Sequence, residues 1–222
     1  MKKNFFYKIY KLFKKLFFYK KTNNYLFSLQ IDLKNIKYFL KLEDALSREN
    51  FIWSGDWDKR KKNISTYRKY NINYNSIFQI YKDKIFYKKT EEYKQKSKLI
   101  KKGVTTARGK TIKELNKYFL SLNNLKESMK NFGYLSQIQL KSKNKNDEIG
   151  VVIGRHGEII KLEDKFGGTH RFGLCKVLKI KKIHVNIKAI HEEFIKKNNL
   201  EKMIYKKNKK KLKYFVQEII NS

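Results

Sequence analysis

The chain has no proline, one cysteine, three alanines and six arginines in 222 residues. Each shortage excludes something. A lone Cys175 closes no intramolecular disulfide and supplies no thiolate cluster, which removes disulfide scaffolds, zinc ribbons and iron–sulfur proteins. A reducing, cytoplasmic compartment follows as the expectation. No uninterrupted apolar run approaches the ~20 residues that span a bilayer. Acids are scarce too: 20 Asp and Glu stand against 54 Lys and Arg, for a net charge of +34. With 41% hydrophobic and 15% aromatic residues the chain is nevertheless no disordered basic tail, and its length suits one domain with appended helices.

The charge invites a polyanion partner, but its makeup weakens that inference. Only six of the 54 basic residues are arginine, and the remaining lysines come with abundant Asn, Ile, Tyr and Phe, the residues of A/T-rich codons. Much of the +34 therefore records composition. The residues that such drift disfavours are more informative. Six of the ten glycines (150, 154, 157, 167, 168, 173) and two of the six arginines (Arg155, Arg171) fall within 24 residues. The constrained chemistry is expected there.

Residues 1–21 place Phe5, Phe6, Ile9, Leu12, Phe13, Leu16 and Phe17 at helical spacing with lysines opposite. Such a basic amphipathic helix suits an anionic membrane surface, or equally a seat on the rest of the protein. Residues 25–31 read as a strand, with Asp32 capping a short helical turn through Ile36 and Leu40. The stretch 51–60 holds both tryptophans with Asp56 and Asp58, and is expected to be a loop anchored by its rings, its acids capping the next element. A helical insertion spans about 60–132, with helices over 76–83, 90–100 and 111–131, the last closed by Gly133. Between them the basic loop 103–110 lacks Walker spacing and reads as a connector. Beyond 134 the character turns mixed: strands at 149–153 and 158–162 joined by a turn at Arg155-His156-Gly157, a helix over 169–178, a strand over 183–187 and a basic helical tail over 191–222.

The unit that carries chemistry is Gly167-Gly168-Thr169-His170-Arg171. Two glycines before a helix let the backbone approach a ligand, and the first helical amides donate to anions. Thr169 adds a hydroxyl, His170 a donor and Arg171 a bidentate cationic fork. Read on its own, the same string is a turn with Thr169 as cap, His170 packed and Arg171 on the surface. Its setting among retained glycines and arginines favours the anion site.

Residues 153–187, IGRHGEIIKLEDKFGGTHRFGLCKVLKIKKIHVNI, resemble the core of the ParB/sulfiredoxin-like superfamily: a hairpin, a Gly-rich turn, a G-x-H-R helix start, a lysine-rich turn and a strand. His184 stands where a proline is usual. The stretch LQIDLKNIKYFL (29–40) is similar to the family's first strand and following segment. The resemblance implies an α+β domain over 25–190, a small mixed sheet with helices, whose Gly167, Gly168, Thr169, His170 and Arg171 grip nucleotide phosphates. It implies ATP, ADP or CTP with Mg2+ as ligand. Thr169 replaces the nucleophilic cysteine of the reductases, and Cys175 lies six residues on, so sulfiredoxin chemistry is not expected. No DNA-reading helix-turn-helix is recognisable after residue 190, and the 32 residues there are expected to be too few for one with a dimerisation domain, so a DNA partition clamp is not expected. Phosphoryl transfer would need a carboxylate base and usually a Mg2+ ligand, for which Glu163 and Asp164 stand just before the glycines, with Glu148, Glu158, Asp56 and Asp58 as further candidates; His191, after the last strand, is expected to line the same cleft. The competing expectation is a sequence-independent nucleic-acid binder using lysines and interleaved aromatics.

Overall fold

The computed structural model describes residues 27–41, 51–142, 147–163, 167–205 and 209–221. The amphipathic segment 1–21 and Asp164 lie outside the described residues. The fold is α+β, with one open mixed sheet and helices forming about half of it. The strands are β1 (Phe27–Asp32), β2 (Ile36–Leu40), β3 (Ile52–Trp53), β4 (Lys62–Asn63), β5 (Ile149–Ile153), β6 (Ile159–Leu162) and β7 (Lys182–His191). The insertion supplies α1 (Tyr67–Tyr70), α2 (Ile72–Tyr81), α3 (Glu91–Lys101) and α4 (Ile112–Phe132). Then α5 (Thr169–Val177) separates β6 from β7, and α6 (Glu192–Lys197), α7 (Glu201–Tyr205) and α8 (Lys209–Asn221) follow. Among the described residues no helix is long and apolar enough to cross a membrane.

The sheet order is β1-β7-β5-β6-β2-β4, with β3 also paired to β7. The β5–β6 hairpin is antiparallel, while β7 runs parallel to β5 and β2 parallel to β6. All five residues of β5 are buried because both faces of the sheet are covered. Ile149, Val151 and Ile153 face the main core under the helices, whereas Val152 meets Ile160, Leu162, Trp53 and Trp57 in a smaller cluster on the other face. The hairpin turns where expected: Gly157 at φ +88° lets its N–H reach the Gly154 carbonyl at 3.1 Å.

Local signals set the helices. A capping box opens α4: the Thr111 hydroxyl accepts from Glu114 N–H and the Glu114 carboxylate accepts from Thr111 N–H. Leu115, Phe119, Leu122 and Met129 bury one stripe of this helix, and Gly133 ends it at φ +71°. Among the described residues most aromatic side chains lie in or against the core. Tyr74 stacks on Phe172 at 5.6 Å between ring centroids, and Tyr67 sits 4.7 Å from Phe39, which ties α1 and α2 to α5 and the sheet.

Two expectations change here. Asp32 makes no side-chain cap, and the helical turn is a three-residue 3-10 turn, Leu33–Asn35. Ile36–Leu40 is a strand instead, since both its faces find apolar cover, Ile36 and Phe39 on one side and Leu40 on the other. The segment after 190 is helical as expected but is no free tail. Leu200, Ile204, Leu212 and Val216 are buried in the main core, and α8 packs against β1.

Candidate functional site

The glycine turn builds the site from the backbone up. Gly167 (φ +83°) and Gly168 (φ +76°) are both left-handed, and Gly168 is the N-cap of α5, so that end has no side-chain cap. A Cβ on Gly168 would stand 2.6 Å from Cα of Ile149, and one on Gly167 3.0 Å from Oδ1 of Asp147. The close approach that requires Gly168 is thus to the chain's own strand β5. The glycines seat the helix start on the sheet.

His170 is buried and fully engaged. Its Nε2 lies 2.8 Å from Oε2 of Glu92, at the first turn of α3, and its Nδ1 lies 2.7 Å from the Tyr118 hydroxyl of α4. Nη2 of Arg108, from the loop read as a connector, is 3.3 Å from the same Nδ1. Glu92 is wholly buried; it accepts from Ser76 Oγ at 2.5 Å and from Arg108 Nε at 3.4 Å. Burial pushes the Glu92 carboxyl up, but the hydrogen bonds from His170 and Ser76 and the charge of Arg108 prevail and hold it below the usual carboxylate range. Burial raises the Tyr118 phenol above its ordinary value, against the opposing charge of Arg108.

Arg171 points to the start of β5. Nη2 pairs with Oδ1 of Asp147 at 3.0 Å, and Nη1 lies 3.6 Å from Oε2 of Glu148, too far for a hydrogen bond. Nη1 is buried without a hydrogen-bond partner. Glu148 is itself an anchor, accepting from the Tyr134 hydroxyl and the Gln137 N–H, each at 2.6 Å. Asp147, by contrast, has a half-exposed side chain. Beneath the turn lies the wholly buried Lys161, whose Nζ donates to the Leu162 carbonyl and, at 3.4 Å, to that of Gly167. It fastens both ends of the segment containing Glu163, which follows β6 and is partly exposed. Thr169 is buried.

The remaining sequence candidates gather elsewhere. Asp56 and Asp58 pair with Arg155, and His191 lies 3.6 Å from Asp58 and against Trp57 of the smaller cluster on the opposite face of the sheet, so His191 does not line the cleft of α5. The Asp-Trp-Asp loop is anchored by Trp57, which stacks on His191 at 5.4 Å, but its acids clasp Arg155 instead of capping a helix. Glu158 is taken by Lys61 at 2.9 Å. Cys175 is buried, and burial lifts its thiol to about 12, so it is an inert core residue. Among the described residues no group of three or more His, Cys, Asp and Glu side chains is arranged to hold a metal ion.

Around Gly167, Gly168, Thr169, His170 and Arg171 the structure places Glu92, Arg108, Tyr118, Asp147 and Lys161. Arg108 alone carried a signal, as one of six retained arginines. Glu92 reads in sequence as an ordinary first-turn acid, and nothing local tells that its side chain turns inward. Comparison of the chain with protein-family models, curated proteins and solved structures finds no match.

Proposed function

We propose that the start of α5 binds the phosphates of a nucleotide, ATP, ADP or CTP with Mg2+, as the ParB/sulfiredoxin-like resemblance implies, and that phosphoryl transfer is the reaction it serves. The observation that carries this reading is that two arginines from different elements stand at a helix start capped by glycine, Arg108 reaching His170 and Arg171 lying in the first turn. Of the carboxylates present, Glu92 and Glu148 are buried and held by several hydrogen bonds. Asp147 is the exchangeable one. A phosphate oxygen entering at Gly167 takes its place on Arg171 and gains a charge-assisted pair while Asp147 returns to water. His170 acts from behind, through its neighbours. Glu163 and Asp164 are the acids assigned to the nucleotide's metal ion. The single buried thiol suits a reducing, cytoplasmic setting.

Thermal melting with each nucleotide and Mg2+ tests this: the wild type melts higher with at least one of them, and Arg171→Lys loses most of that gain. No shift with any of the three overturns it. A second reading, sequence-independent nucleic-acid binding, draws support from Tyr70. Its half-exposed ring carries Nζ of Lys62 at 4.2 Å and of Lys41 at 5.4 Å. That mode requires affinity that falls steeply with salt.

A further inference from the structure

We propose that Tyr118, His170 and Glu92 form a proton relay, and that the Tyr118 hydroxyl is its outer end, accepting the proton of a hydroxyl-bearing substrate. The chain of contacts runs from Tyr118 Oη to His170 Nδ1 (2.7 Å), then from Nε2 to Glu92 Oε2 (2.8 Å), with Ser76 Oγ holding that same oxygen. The members come from α4, α5, α3 and α2. Four elements converge to place one imidazole.

The partners decide where the protons sit. A carboxylate only accepts, so Nε2 carries hydrogen. At Nδ1 the Arg108 guanidinium, 3.3 Å away, only donates, so Nδ1 presents its lone pair and the phenol O–H points at it. The phenol oxygen keeps its own lone pairs for another donor. His170 and Glu92 are buried, while Tyr118 is partly exposed, and of the three it is the one a ligand can meet. Arg108 lies over its ring at 4.8 Å, and the contact with His170, in the first turn of α5, sets the hydroxyl beside the helix start.

As the substrate oxygen bonds to phosphorus, its proton passes to Tyr118 Oη and the proton of Tyr118 passes to His170 Nδ1. The phosphorus–oxygen bond to the nucleotide breaks, and the leaving group departs with that electron pair. The product state holds imidazolium against the Glu92 carboxylate, a neutral pair, and no free phenolate forms. Tyr118 is the catalytic residue here; His170 and Glu92 are positioning residues. Only the choice of substrate rests on the nucleotide reading, since the relay itself is read from the contacts.

An aryl sulfonyl fluoride tests the relay without knowledge of the substrate. The Tyr118 oxygen forms the S–O bond, fluoride leaves with the S–F pair and the proton goes to His170. Mass mapping is expected to show Tyr118 modified at least tenfold faster than the more exposed Tyr214. His170→Gln lowers that rate about tenfold and replaces a plateau in its pH profile by a continuous rise with hydroxide. Equal rates at Tyr118 and Tyr214, or an unchanged profile in His170→Gln, overturn the proposal. Should that variant fail to fold, long-range 1H–15N spectra of the wild type decide: hydrogen on Nε2 supports the relay and hydrogen on Nδ1 overturns it. Fast labelling of Tyr118 that neither inorganic phosphate nor ATP with Mg2+ slows supports the relay while removing the nucleotide reading.

Discussion

Arg155 grips Asp58 across 97 residues of chain, with Nε 2.9 Å from Oδ2 and Nη2 2.7 Å from Oδ1. The backbone N–H of Arg155 adds a third bond to Oδ2 at 3.0 Å. This clasp joins the tryptophan loop to the β5–β6 turn. It closes the sheet face opposite α5.

The clasp makes stability depend on acid. Burial alone would raise the Asp58 carboxyl, but the bonds from Arg155 outweigh it and hold the group at about 2, below its ordinary 3.8. A folded-state value below the unfolded one means that the stabilisation is complete above 3.8 and disappears as pH falls toward 2. Its size is on the order of 2 kcal/mol. Denaturant titrations from pH 5 down to pH 2 are expected to show that loss in the wild type, and a distinctly shallower loss in Asp58→Asn, which is less stable throughout.

Gly168→Ala is expected to destabilise the fold by about 3 kcal/mol, because its Cβ would meet Cα of Ile149 at 2.6 Å in a left-handed conformation. Gly157→Ala meets only the Phe194 ring edge at 3.2 Å and is expected to cost about 1–2 kcal/mol. Urea midpoints measured side by side check the order. Equal losses would contradict the tight seating of the turn on β5.

Asp147→Asn removes the carboxylate that competes for Arg171, and inorganic phosphate is expected to bind severalfold more tightly as a result. Titration calorimetry at fixed ionic strength measures it. Weaker binding in the variant would make Asp147 part of the site and not its competitor.

Cys175 is expected to resist iodoacetamide in the native protein and to react fully in denaturant, since its thiol is buried and lifted to about 12. Rapid native labelling, followed by mass spectrometry, would show that α5 opens readily.

The fold was legible wherever one short pattern decided it. Apolar, β-branched runs and a Gly turn marked the hairpin, and a cap, a stripe and a terminal glycine marked α4. Ile36–Leu40 misled because Ile36 and Phe39 turn to one face and Leu40 to the other, with Lys37 exposed between them, which leaves no simple alternation to read. At the site, the glycines and Arg171 stood out against a composition that disfavours them, and the structure gathers them at one helix start. Their partners did not stand out. Glu92, Tyr118 and Asp147 are common residue types whose meeting with His170 and Arg171 depends on how the insertion packs over α5, a long-range event with no local periodicity. The glycines themselves taught a narrower lesson, for Gly168 is required by the nearness of Ile149 as much as by any ligand.

The amides of Gly167, Gly168 and Thr169 report most directly on phosphate at this helix start. In 1H–15N spectra titrated with ATP, ADP or CTP and Mg2+, these three amides are expected to move downfield and saturably, with Arg171 Nε following. A titration that shifts only surface lysine-rich segments and leaves the three amides in place would contradict phosphate binding at α5.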